Sequence, residues 1–107
     1  MDAQLRRGLL DVCVLAVLHH GDSYGYRIVR DASQIMPLTE STLYPILKRL
    51  EQSDYLAEYS VEHNGRLRKY YHITPKGEER LDIFLREWDD MKRLFDYIKE
   101  GREPANE

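Results

Sequence analysis

The chain has 107 residues, enough for one domain that buries about 65% of its unfolded surface. Apolar residues make up 42% and charged residues 33%, with six Gly and four Pro, which excludes disordered and collagen-like chains and favours a helical globular one. The net charge of −3 argues at first against a nucleic-acid partner, but residues 23–76 carry eight Lys/Arg against six Asp/Glu and the remainder eight against thirteen. Local field steers a polyanion, so the centre of the chain is the candidate binding surface.

The first predicted element is a helix from about residue 4 to 20, in which Leu5, Leu9, Val12, Cys13, Ala16 and Val17 recur at helical spacing before a stop at His20-Gly21-Asp22. Its apolar run, Val12 to Leu18, is seven residues long, far short of the roughly 20 that span a membrane. Asp2 and two arginines precede the run and no small-residue cleavage site follows, so no signal peptide is read and a cytoplasmic address is expected. Cys13 is the only cysteine; it is expected in the core and can form neither an internal disulfide nor a Cys-rich zinc site.

Asp22 or Ser23 is read as the cap of a second helix that ends before Pro37. Tyr24, Ile28 and Ala32 or Ile35 share its apolar face, with Arg27, Arg30 and Asp31 in water. Thr39 is the expected cap of a third helix reaching about Ser53, where Pro45 predicts a kink or a later start because it removes one backbone donor. Leu43, Ile46, Leu47 and Leu50 form one face of this helix; Ser41, Tyr44, Pro45, Lys48 and Gln52 form the other. The second face is polar and nearly free of carboxylates. Its small hydroxyls can approach base edges or phosphates, and Lys48 one turn later can reach a phosphate or guanine. An ordinary solvated face is the alternative for this helix taken alone.

Beyond Asp54 the period changes to that of strands. Residues 55–61 and 68–73 are rich in aromatic and branched side chains and flank a tip containing Asn64-Gly65. Arg66, Arg68 and Lys69 surround the tip with His63, and Glu62 is the one acid beside it. Such a cluster clamps phosphate with sequence-independent, salt-sensitive affinity; guarding a sheet edge is the plainer role. Cations without balancing acids, beside a polar helix face, favour binding. Thr74-Pro75 then reads as cap and first residue of a long final helix with Glu78 and Glu79 near its positive end. Only the last six or seven residues are expected to fray.

Helix, helix, helix, hairpin, helix is the order of a winged helix-turn-helix followed by one further helix: a mainly α fold with a small β-hairpin. The stretches Tyr24-Gly25-Tyr26-Arg27-Ile28, Ser41-Thr42-Leu43-Tyr44-Pro45-Ile46-Leu47-Lys48-Arg49-Leu50-Glu51 and Gly65-Arg66-Leu67-Arg68-Lys69-Tyr70-Tyr71-His72-Ile73-Thr74-Pro75-Lys76-Gly77 closely resemble the PadR family of bacterial transcriptional regulators in order and spacing. The resemblance covers about residues 5 to 100 and the short, single-C-terminal-helix form of the family. It implies a dimeric repressor of double-stranded DNA, with the third helix in the major groove and the wing on backbone or minor groove. By motif match, Tyr24, Ser41, Thr42, Tyr44, Lys48, Arg66, Arg68 and Lys69 are the DNA-binding candidates. Leu67 departs from the polar wing tip common in that family; it is expected to pack, which leaves Arg66 the weaker contact.

In the final helix, Leu81, Phe84, Trp88, Met91, Phe95 and Ile98 are spaced three, four, three, four and three, a continuous apolar seam that Leu85 and Leu94 widen. A second copy is the expected cover, since dimerisation would set two recognition helices about 34 Å apart on a palindrome. Folding back onto helix 1 of the same chain, or each final helix gripping the partner's helix 1, are the alternatives. The division is thus residues 1–76 for DNA and 77–107 for dimerisation. Trp88 reads first as an interface anchor. The resemblance adds that multidrug-responsive relatives stack flat aromatic compounds on a matching tryptophan at the dimer centre, which makes Phe84, Trp88, Asp89, Met91 and Phe95 candidates for an effector site.

Catalysis and metal binding are set aside. The four histidines lack helical metal-site spacing, Asp89 and Asp90 are adjacent and point apart, and there is neither a nucleophile motif nor a phosphate loop. No cofactor is implied. The rival from another class is a winged-helix module that uses the polar face of helix 3 to bind protein.

Overall fold

The computed structural model describes residues 1–102. Its elements are α1 (Ala3–His19), β1 (Ser23–Tyr24), α2 (Gly25–Ala32), α3 (Glu40–Gln52), β2 (Leu56–His63), β3 (Arg66–Ile73) and α4 (Pro75–Arg102). From Leu10 to Leu18 α1 is buried on nearly every side, because α2, α3, α4 and β3 all pack on it. The core joins Val14, Leu15 and Leu18 of α1 to Ile28 and Ala32 of α2, Leu43, Ile46, Leu47 and Leu50 of α3, and Leu56, Tyr71 and Ile73 of the sheet. Each such side chain withdrawn from water stabilises the fold by roughly 1.5–3 kcal/mol. Cys13 is buried as expected, and burial pushes its thiol pKa up.

α3 is fixed at both ends by local chemistry. Thr39 Oγ1 accepts from the Thr42 N–H at 3.3 Å. At the other end Asp54 adopts φ 62°, so that Tyr55 N–H reaches the Leu50 carbonyl at 2.9 Å and Asp54 N–H reaches Glu51 at 3.0 Å. This pair of bonds is the Schellman closure, here with Asp in the place usually held by Gly. The helix begins at Glu40 and runs through Pro45, so no later start is needed. Pro45 leaves the Ser41 carbonyl without its helical donor, on an exposed face. Arg49 donates to Asp11 of α1 at 2.6 Å, which fastens α3 to the core helix.

The start of the second helix differs from expectation. Ser23 and Tyr24 form a short strand instead of a cap, and α2 begins at Gly25 without any side-chain cap bond. Strand order is β1-β3-β2, all antiparallel: a three-stranded sheet where a hairpin was expected. Pairing with β3 satisfies the Ser23 and Tyr24 backbone, which competes with helix initiation. Ala32, not Ile35, completes the buried face; Ile35 is exposed.

Between β2 and β3, Asn64 at φ 51° and Gly65 at φ 78° form a two-residue turn, the geometry that matches strand twist. α4 opens as read from sequence, with Thr74 Oγ1 accepting from Gly77 N–H at 3.1 Å. Gly101 and Arg102 are still helical; the rest of the stretch expected to fray lies outside the described residues. Only the first turns of α4 meet the body: Gly77 lies against Tyr55 and Ile73, Glu78 bonds His19, and Leu81 packs on the core. The remainder projects, giving extents of 71 × 25 × 21 Å.

Candidate nucleic-acid interface

Strand alternation sorts the wing into two faces. The register pairs Tyr59 with Tyr70, Val61 with Arg68 and His63 with Arg66 on one face, and Glu58 with Tyr71, Ser60 with Lys69 and Glu62 with Leu67 on the other. The three wing cations therefore do not form a single clamp: Arg66 and Arg68 share one face and Lys69 takes the opposite one. Leu67 is 77% exposed, which corrects the expectation that it packs; next to a two-residue turn, no body element among the described residues covers it.

Lys69 faces α3. It lines a groove of about 230 Å³ with Tyr44, Leu47, Lys48, Glu51, Glu58 and Tyr71. Lys48 and Lys69, far apart in sequence, thus flank one cleft between α3 and the wing. Ser41, Thr42 and Tyr44 are exposed at the N-terminal end of the same helix. Tyr44 is placed by Gly25, where any Cβ would come within 2.8 Å of its Oη. A larger residue at position 25 would push the tyrosine out.

The cations are not free of acids, contrary to expectation. Lys69 Nζ lies 3.5 Å from Glu58, and Glu51 lines the groove beside them. Lost solvation and the adjoining Glu58 carboxyl raise the Glu51 pKa, which Lys69 partly offsets. Burial, followed by Glu58, Tyr44 and Glu51, pushes the Tyr71 phenol up to about 12, so it stays neutral. Glu58 was missed because its partner sits eleven positions away and faces it only in this register.

On the opposite face an aromatic and cationic ladder covers the sheet. Arg68 sits over the Tyr24 ring at 4.2 Å and Arg27 approaches the same ring at 5.0 Å. Tyr70 meets Tyr24 edge-on at 5.5 Å and stacks on Tyr59 at 5.7 Å. Arg27 and Tyr24 are half-buried, not simply solvated. Below the ladder, Tyr59 Oη donates to Asp22 Oδ2 at 2.6 Å and His72 Nδ1 donates to Oδ1 at 2.7 Å. These two bonds hold the Asp22 carboxyl below the usual carboxylate range, and Asp22 in turn raises the Tyr59 phenol.

A polar face of α3 carrying Lys48 and a wing cation across one groove, on a three-helix core with a three-stranded sheet, are the parts of a winged-helix regulator, and comparison with known proteins agrees. The profile of the transcriptional regulator PadR-like family matches residues 14–83. The chain belongs to the PadR-like family of transcriptional regulators. A curated relative, an uncharacterized protein of Lysinibacillus sphaericus, is 35% identical over 102 residues, 91% of this chain and 94% of its own. A crystal structure from Streptococcus mutans is similar at 46% identity and TM-score 0.75, covering 92% of each chain. A PadR-like transcription factor from Bacteroides fragilis matches at TM-score 0.80 and 34% identity, over 90% of this chain and 95% of that one. Membership in this family makes the chain a DNA-binding regulator of transcription and not an enzyme.

The apolar seam of α4 is exposed in the single chain: Trp88 and Met91 at 49%, Leu94 at 60% and Phe95 at 61%. A concavity of about 340 Å³ is lined by Trp88, Met91, Lys92, Phe95 and Asp96. Phe84 lies outside it, with its ring 6.4 Å from Trp88, and borders the α1–α4 groove instead. Asp89 is exposed and not part of the lining; the carboxylate there is Asp96. Among the described residues no cluster of His, Cys, Asp and Glu is placed to hold a metal, and no helix is long and apolar enough to cross a membrane.

Proposed function

We propose that this PadR-like regulator is a homodimeric repressor of a palindromic operator, with residues 1–76 on DNA and the helix from residue 77 onward joining two copies. The observation that carries the DNA half is the pairing of Lys48 and Lys69 across one groove, with Ser41, Thr42 and Tyr44 exposed at the leading end of α3. In this reading α3 enters the major groove, where Ser41, Thr42 and Lys48 read bases and phosphates. Lys69 and Arg66 meet the backbone from the two faces of the wing, with Tyr24 and Arg68 alongside. The exposed α4 seam supports the dimer, because about six large apolar side chains left in water form the kind of patch that marks an interface. Two copies would close the concavity around Trp88 into a slot for a flat aromatic effector, and Asp96 suits a cationic one. A cytoplasmic address follows, since that is where a bacterial operator lies.

The test is selection of duplexes by the purified protein from a random pool, followed by titration of the recovered sequence at several salt concentrations. Lys69→Ala is expected to weaken all sequences and to lower the salt slope by about one, whereas Ser41→Ala and Lys48→Ala change sequence preference. Equal affinity for recovered and scrambled duplexes would instead favour a protein-binding winged helix.

A further inference from the structure

We infer that Asp22 is a positioning residue for DNA binding, the clamp that fixes the angle of the wing against the recognition helix. The inference rests on the DNA-binding reading above and concerns a residue that touches no DNA.

Asp22 lies between α1 and β1, on the body of the domain. Its backbone is held there by α2: the Arg27 guanidinium donates to the Asp22 carbonyl at 2.5 Å and to Ser23 Oγ at 2.9 Å. Its side chain is held by the wing, with one oxygen on Tyr59 of β2 and the other on His72 of β3. A single carboxylate therefore grips both wing strands and ties them to the helical body. The remaining ties on this side are few. β1 pairs with β3 over two residues, Ser23 with Tyr71 and Tyr24 with Tyr70, and residues 57–67 are exposed throughout.

Leverage makes the clamp matter. From His72 to Arg66 the strand extends about 20 Å at roughly 3.3 Å per residue. A swing of about 10° at the base would then move the tip by about 3.5 Å, more than the length of a hydrogen bond. Arg68 stacked on Tyr24 and Tyr70 stacked on Tyr59 extend the same contact toward the tip, so loosening Asp22 releases the whole ladder. The carboxylate is 36% exposed and His72 55%, so the contact is solvated and contributes more to geometry than to global stability.

The test uses a duplex that the wild-type protein recovers from a random pool. Asp22→Ala is expected to weaken binding about tenfold, the worth of one charge-assisted hydrogen bond, and to lower the salt slope, because a displaced Arg66 no longer neutralises its phosphate. Asp22→Asn still accepts from Tyr59 and should lose less. Tyr59→Phe should weaken binding by itself, and the Asp22→Ala/Tyr59→Phe pair should be no weaker than Asp22→Ala, since both act through one contact. Wild-type affinity in folded Asp22→Ala, or additive losses in the pair, would overturn the inference. If Asp22→Ala does not fold, Tyr59→Phe and His72→Gln decide it: wild-type affinity in both overturns it. Failure of the wild type to recover any duplex would remove the DNA-binding reading itself, an outcome distinct from wild-type binding that is indifferent to Asp22.

Discussion

Replacing Gly77 by alanine tests how α4 is seated on the domain. An added Cβ would lie 2.1 Å from the Tyr55 carbonyl oxygen and 2.7 Å from Ile73 Cγ1, where about 3.4 Å is the comfortable approach. The helix start must move by about 1 Å, and the groups around it resist. The Tyr55 carbonyl already accepts from Thr74 N–H at 3.1 Å, and Thr74 caps the helix through Gly77 itself. Overpacking costs about 1–3 kcal/mol and a strained cap about 1 kcal/mol, while the better helix propensity of alanine returns about 1 kcal/mol. The net loss is about 1–3 kcal/mol, with Tm falling by roughly 4–8 °C per kcal/mol. Gly8, in the exposed first half of α1, provides the contrast. Among the described residues nothing lies within 4 Å of its added Cβ, so Gly8→Ala should stabilise by about 0.5–1 kcal/mol. Urea and thermal melts at one fixed protein concentration read both variants, since self-association shifts Tm. A Gly77→Ala protein as stable as wild type would refute the reasoning.

Two further outcomes follow from the interface and the seam. Glu58→Gln removes the partner of Lys69 and one anion from the groove, so operator affinity should rise about two- to fivefold, most clearly at low salt; a loss would mean that Glu58 holds Lys69 in its binding position. Leu94→Glu changes a side chain that is 60% exposed in the single chain and should leave helicity intact. In a dimer it buries an unpaired carboxylate, so sedimentation should report monomers and operator binding should weaken; a persistent dimer would place the interface elsewhere.

Much of the fold was legible along the chain. Leu43, Ile46, Leu47 and Leu50 repeat at helical spacing and are buried, while Ser41, Tyr44 and Lys48 are exposed, because a 3.6-residue period reports a helix face without knowledge of its neighbours. Thr39 and Thr74 were recognisable as caps for the same reason: each bonds to an amide three residues away. Asp22 was misread as a cap because an acid before a helix carries the same local signal whether it bonds forward to the helix or sideways to a strand. Its partners are Tyr59 and His72, 37 and 50 residues away.

The sequence by itself determined the order of the helices and the hairpin, the polar face of α3, the apolar seam of α4 and the scarcity of acids in the centre, all properties of spacing and composition. Tertiary structure alone decided that Ser23 and Tyr24 join the sheet, that Lys69 faces the recognition helix while Arg66 and Arg68 face away, that Glu58 answers Lys69, and that Gly77 leaves room for a carbonyl. Helical faces follow from a period of a few residues. Strand register and interlocking contacts depend on which distant segments meet, and a shift of one residue in β3 would have turned every wing cation to the other face.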